Sequence, residues 1–192
     1  MELDQDQQSR IALGRTAVLR DRVVPRALLT IGVVTFFVAG YFGVGWNVDP
    51  AKARDLGTAL DHRIPFIPAS VWVYLWLFPA SLLPLFLVRC PRLFRRTLLA
   101  YGIAIAVSLV AFVVFPVTSH ALRVDRATLD VTHVSAWAVA LLYRLDPPVN
   151  LFPSLHLSIA TLAALAAWKA RRCYGAAAAV GVLLVGVSIC TV

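Results

Sequence analysis

Five apolar stretches, separated by short segments that carry nearly all the charge, leave this 192-residue chain few ways to fold. They run roughly over 26–45, 68–88, 97–116, 155–169 and 174–192. Most reach or approach the ~20 residues a helix needs to cross the hydrocarbon of a bilayer. With 60% hydrophobic residues against 15% charged, and a mean hydropathy of +0.79, the chain holds more apolar surface than one soluble core of this length hides. The pattern predicts an all-α, polytopic membrane helical bundle, with 26–192 as the transmembrane domain and 1–25 as a polar tail, loose or helical. The first apolar run starts only after about 25 residues and lacks a small-residue cleavage pattern, so it reads as a retained span. Pro79 and Pro84 are expected to kink or break the second span.

Charge orients the set. Arg10, Arg15, Arg20, Arg22 and Arg26 precede the first span; Arg89, Arg92, Arg95 and Arg96 join the second to the third; Lys169, Arg171 and Arg172 join the fourth to the fifth. These segments hold 12 of the 18 basic residues, and the two inner connections contain no acid. The positive-inside rule then predicts a multi-pass protein of the cell membrane, its N-terminus cytoplasmic and its segments 46–67 and 117–152 on the outer face. The basic inner loops are expected to meet anionic lipid headgroups, and nothing combines basic surface with stacking aromatics as a nucleic-acid partner requires. The apolar run 131–143 is too short for a further crossing and predicts an interfacial helix on the outer face, with Trp137 and Tyr143 near the headgroups.

Candidate chemistry concentrates in Asn150-Leu151-Phe152-Pro153-Ser154-Leu155-His156. Pro153 fits a helix entrance and Ser154 can cap one, which leaves backbone N–H groups free to meet an anion such as phosphate. His156, in the first turn, can protonate a leaving oxygen or act as a base. The plainer reading of the same residues is a capped membrane helix whose histidine snorkels to the interface. His62 reads as loop polarity and His133 as an interface anchor. Cys90, Cys173 and Cys190 form no CxxC pair and read as small hydrophobes. Gly102, Gly175, Gly181 and Gly186 are expected at close helix contacts, with Gly181 and Gly186 approaching a small-residue packing pattern.

Phe152-Pro153-Ser154-Leu155-His156, followed by an apolar helix, resembles the second signature of the type 2 phosphatidic acid phosphatase superfamily. Leu155, together with the approach Asp146-Pro147-Pro148-Val149-Asn150, is most similar to the inositol phosphorylceramide synthase-like branch. The resemblance covers roughly residues 68–192 and implies five spans of a six-helix core. It implies His156 as the general acid that protonates the leaving group and Ser154 as a phosphate contact. The superfamily's usual first motif is missing; an irregular form after the third span would make Arg123 the phosphate clamp, with Arg126 and His120 behind it. The third motif starts with a serine seven residues before a nucleophilic histidine, which a carboxylate four residues later orients. Ser188 stands at the matching place and Thr191 at another often-polar one, so that nucleophile is expected at position 195, beyond Val192. The chain is therefore read as ending short of the third motif and as inactive by itself.

The implied function is a lipid-phosphate phosphatase or phosphotransferase, acting through a phosphohistidine on the outer leaflet without a metal or other cofactor. Its substrate would be a membrane lipid phosphate or an isoprenyl diphosphate. Water as acceptor gives a phosphatase; an inositol or sugar hydroxyl gives a headgroup transferase. The alternative from another class is a non-catalytic membrane transporter or scaffold that retains the fold. The absence of ionisable groups inside the apolar cores counts against ion-coupled transport.

Overall fold

The computed structural model describes residues 2–192, with side chains from Val24 onward except Leu85. Nearly all its regular structure is helical. The helices are α1 (Glu2–Asn47), α2 (Val71–Ser81), α3 (Leu83–Leu87), α4 (Pro91–Val114), α5 (Val134–Leu145), α6 (Leu155–Ala170) and α7 (Arg172–Thr191). The tail drawn at 1–25 and the first span share the single helix α1, which is helical through Pro25. Three helical stretches are long and apolar enough to cross a membrane: Val24–Asn47, Pro91–Val114 and Arg172–Thr191. The protein is thus a membrane protein by the length and composition of its helices.

The other two stretches expected to span form shorter helices. The stretch 68–88 is broken into α2 and α3 at Leu82, between the prolines at 79 and 84, as the missing N–H groups and ring clashes require. The 16 residues of α6 reach only ~24 Å at 1.5 Å per residue. The 12 residues of α5 reach ~18 Å, too little to span.

Packing is built around α6. Its Ala160, Ala163, Ala166 and Ala167, on one helical face, are buried. Small side chains there let Phe94, Leu98 and Tyr101 of α4 approach from one side and Leu77 of α2 and Val185 of α7 from another. Next to α4, Tyr41 of α1 joins Ile105, Phe112 and Leu155 in a second cluster. The far face of α4 carries Leu99, Ile103, Val107, Val110 and Val114, all well exposed. A continuous apolar stripe on the outside of a polar-poor bundle suits a lipid-facing surface.

Glycines do not all act as expected. Gly175 is the close contact: a Cβ there would lie 2.4 Å from the Trp168 backbone, so only glycine closes the α6–α7 hairpin. Gly102 and Gly181 have nothing within 4 Å, and Gly186 meets only Leu157 at 3.9 Å. The small-residue pattern read at 181 and 186 therefore makes no tight helix crossing among the described residues.

The ends of α1, α4 and α7 and the starts of α2 and α6 gather at one end of the bundle, where short backbone contacts stitch the loops together. There, β1 (Arg54–Asp55) pairs in parallel with β2 (Val117–Thr118), and Val117 bridges to Asn150. Ile67 N–H donates to the Thr191 carbonyl at 2.8 Å, and Thr191 Oγ1 to Ser70 Oγ at 2.8 Å. At the opposite end, Arg26 donates to the carbonyls of Val88 and Arg89 at 3.0 and 2.6 Å, with its guanidinium over the Phe94 ring. It thereby satisfies carbonyls left over where α3 stops.

Candidate active site

The motif helix starts as the residues dictate. Ser154 is the N-cap of α6, with extended backbone, and its Oγ accepts from Leu157 N–H at 3.4 Å. The backbone N–H groups of Leu155 and His156 belong to the first turn and have no helical acceptor. His156 sits at the second helical position and is half-buried.

Its imidazole lies inside an aromatic box. Tyr74 OH is 2.9 Å from His156 Nε2. The Tyr41 and Phe78 rings stand edge-on to it, with centroids 5.8 and 6.1 Å away. A phenol in an apolar span needs a partner, since an unpaired buried hydroxyl costs ~1–3 kcal/mol. For Tyr74, only 7% exposed, His156 supplies that partner.

The second half of the site comes from the loops. Arg123 donates through one guanidinium nitrogen to Asp146 Oδ2 at 2.7 Å and through the other to the Asp146 backbone carbonyl at 3.0 Å. Its guanidinium also lies over the Tyr143 ring, 4.9 Å from the centroid. Asp146 Oδ1 accepts from Tyr41 OH at 2.7 Å. Asn150 Nδ2 donates to the Tyr41 carbonyl at 3.0 Å, which fixes the amide's orientation, and its buried Oδ1 has no partner among the described residues. The loop can lie this close to α1 because residue 45 is glycine: a Cβ there would come within 2.5 Å of Pro147 and 2.8 Å of Asn150 Nδ2.

Arg123, Ser154 and His156 thus line one cavity of about 300 Å³, together with Tyr41, Tyr74 and Asp146. Residues 189–192 also line it, and Tyr143 OH donates to the Val192 carbonyl. His120 and Arg126 lie outside this cavity, on exposed 3₁₀ turns. His62 and His133 are exposed as well, and His133 approaches Asp130 at 3.5 Å. Ser188 is buried, with its hydroxyl on the Val185 carbonyl of its own helix. Among the described residues no three His, Cys, Asp or Glu side chains group as metal ligands.

Sequence reasoning passed over Tyr41 and Tyr74, and noted Asp146 only as part of the motif's approach. The available signal was the phenol itself: a tyrosine inside an apolar span must find a polar partner, and the chain's polar partners cluster at this end. Comparison with known protein families, with curated proteins and with solved structures returned no match for this chain.

Proposed function

We propose that this chain carries most of the phosphate-binding half of a membrane enzyme that hydrolyses or transfers a lipid phosphate. The observation that supports this reading is the shared cavity, into which two segments far apart in sequence bring Arg123 on one side and Ser154 and His156 on the other. A guanidinium presents a fork that matches two phosphate oxygens. The Ser154 hydroxyl and the first-turn N–H groups of α6 offer further donors at a helix N-terminus. His156 then stands where a leaving oxygen can take its proton.

The resemblance to the type 2 phosphatidic acid phosphatase superfamily completes the reaction. In that superfamily a histidine of the third motif attacks phosphorus and the bond to the leaving alcohol oxygen breaks; His156 would protonate that oxygen. Water or a hydroxyl would then take the phosphoryl group, with His156 as base. The end of α7 lining the cavity is consistent with that arrangement. In this reading five segments belong to a six-helix core, the N-terminus is cytoplasmic, and the cavity opens to the outer leaflet. The substrate is a lipid phosphate or an isoprenyl diphosphate. Asp61, Ser119 and Asn150 add polar groups to the cavity lining, which favours an inositol or sugar hydroxyl as acceptor for a second reading.

The test is phosphate release from phosphatidic acid and from an isoprenyl diphosphate in mixed micelles, using the full-length protein. We expect His156→Ala to lose about 10²-fold or more in kcat. Full activity in that variant, or none on any lipid phosphate in the complete protein, sinks the reading.

A further inference from the structure

We infer that Tyr74 is a positioning residue for His156: its phenol occupies Nε2 and leaves Nδ1 as the ring nitrogen that exchanges protons with substrate. The inference rests on the reaction proposed above for its catalytic meaning, but not for its geometry.

His156 Nε2 has Tyr74 OH at 2.9 Å, and among the described residues Nδ1 has no hydrogen-bond partner. Tyr74 OH in turn has no other partner among them. A phenol with a single neighbour that can accept will donate to it, so the neutral imidazole carries its own proton on Nδ1. The opposite tautomer would point Nε2–H at the phenol oxygen and leave the O–H without an acceptor in a buried place. That arrangement strands the buried phenol donor, whereas the first leaves only the ring's Nδ1–H free for water or substrate.

The same hydroxyl serves the charged ring. With both nitrogens protonated, the phenol oxygen accepts from Nε2–H, the ring stays where it was, and Nδ1–H is the proton that can pass to the leaving alcohol oxygen. That transfer leaves the ring neutral for the moment with Nε2–H held by Tyr74, the reverse of its resting tautomer, and a lone pair on Nδ1. The lone pair takes the proton of the attacking water or hydroxyl, which restores the charged ring; all exchange with substrate runs through Nδ1, and the role of Tyr74 is orientation. The edge-on rings of Tyr41 and Phe78 restrict rotation further, and they come from α1 and α2, two elements outside the motif.

The test reads the tautomer directly. With ¹⁵N-labelled histidine in the purified protein in lipid nanodiscs, only four side chains report, at 62, 120, 133 and 156; His156→Gln assigns the last. We expect His156 in the wild type to be predominantly the Nδ1–H tautomer when neutral. Tyr74→Phe, which removes one oxygen and keeps the ring, should convert it to a mixture or to Nε2–H while the other three signals stay in place. A wild-type His156 that is predominantly Nε2–H overturns the inference, as does an unchanged tautomer in Tyr74→Phe. On lipid phosphate, the complete Tyr74→Phe protein should lose about tenfold in kcat with KM held, the signature of a misoriented proton donor. Absence of turnover even in the complete wild type would remove the proposed reaction, while the tautomer would still decide the role of Tyr74.

Discussion

Arg123 lies 2.7 Å from the Asp146 carboxylate and 3.0 Å from the Asp146 backbone carbonyl, so one residue orients the guanidinium at two points. The other carboxylate oxygen takes the Tyr41 phenol. Removing the carboxylate in Asp146→Ala strands a charge and a phenol together, in a place where the paired side chains are 16% and 19% exposed. The expected cost is about 2 kcal/mol, below that of a fully buried pair because some water reaches this one. Thermal unfolding in detergent should show it as a drop of several degrees, with Asp146→Asn losing less. Equal melting of Asp146→Ala and wild type would mean that the pair does not hold the site.

Two of the three glycines on α7, Gly175 and Gly181, should respond with opposite signs. Gly175→Ala drives a methyl into the Trp168 backbone, and overpacking of this kind costs ~1–3 kcal/mol. Gly181→Ala meets nothing within 4 Å and gains up to ~1 kcal/mol of helix propensity. Melting temperatures of the two variants, side by side, check both; an unchanged or raised value for Gly175→Ala would contradict the close approach there.

Arg26 should be needed where the bundle turns between α3 and α4. Arg26→Ala leaves the Val88 and Arg89 carbonyls without their donor and uncovers the Phe94 ring. About 1–2 kcal/mol is expected, read as faster proteolysis near residues 88–90 than in wild type. Arg26→Lys, which supplies one point charge in place of a fork, should recover only part of it.

Free cysteines at 90 and 173 test the proposed sidedness. Backbone N–H groups of Leu93 and Arg92 hold the Cys90 thiol below its ordinary range, so it should label readily with maleimide near neutral pH. In intact cells an impermeant maleimide should spare both Cys90 and Cys173 until the membrane is permeabilised, with Cys190→Ser removing the third site. Immediate labelling of either from outside would reverse the topology.

Two loop aspartates carry a small acid-side pH dependence. The Thr58 hydroxyl and backbone N–H hold Asp61 below the ordinary carboxylate range, and the Thr132 hydroxyl and N–H do the same for Asp130. A folded value below the unfolded one, ~3.9, gives stabilisation that is present above that pH and lost as pH falls through the folded value. Solvent screens both groups, so the effect on stability is slight. Carboxyl ¹³C titration should find Asp61 moved up in Thr58→Ala and Asp130 moved up in Thr132→Ala.

Local chemistry made much of this legible. Prolines at 79 and 84 announced the break that separates α2 from α3, and Ser154 announced the start of α6 through its own capping hydroxyl. Hydropathy located α1, α4 and α7, because a lipid-facing stripe must be apolar wherever it packs. The short apolar run in the 117–152 segment was readable as a non-crossing helix from its length, and it forms as α5.

What the tertiary structure alone decided is which polar groups meet. Tyr41 is 105 residues from Asp146 in sequence, and Tyr74 is 82 from His156; no local periodicity encodes either pair. Arg123 already ranked ahead of Arg126 and His120 by resemblance, but that only Arg123 of the three lines the cavity is a matter of packing, since all lie on one irregular loop with no repeating pattern. Likewise, glycine reads the same at 175 and 181, and only the neighbouring helix makes one indispensable. Sequence fixes a helix through bonds and side chains a few residues apart. A site fixed by contacts between helices depends on how their faces pack, and that is settled only when the whole bundle closes.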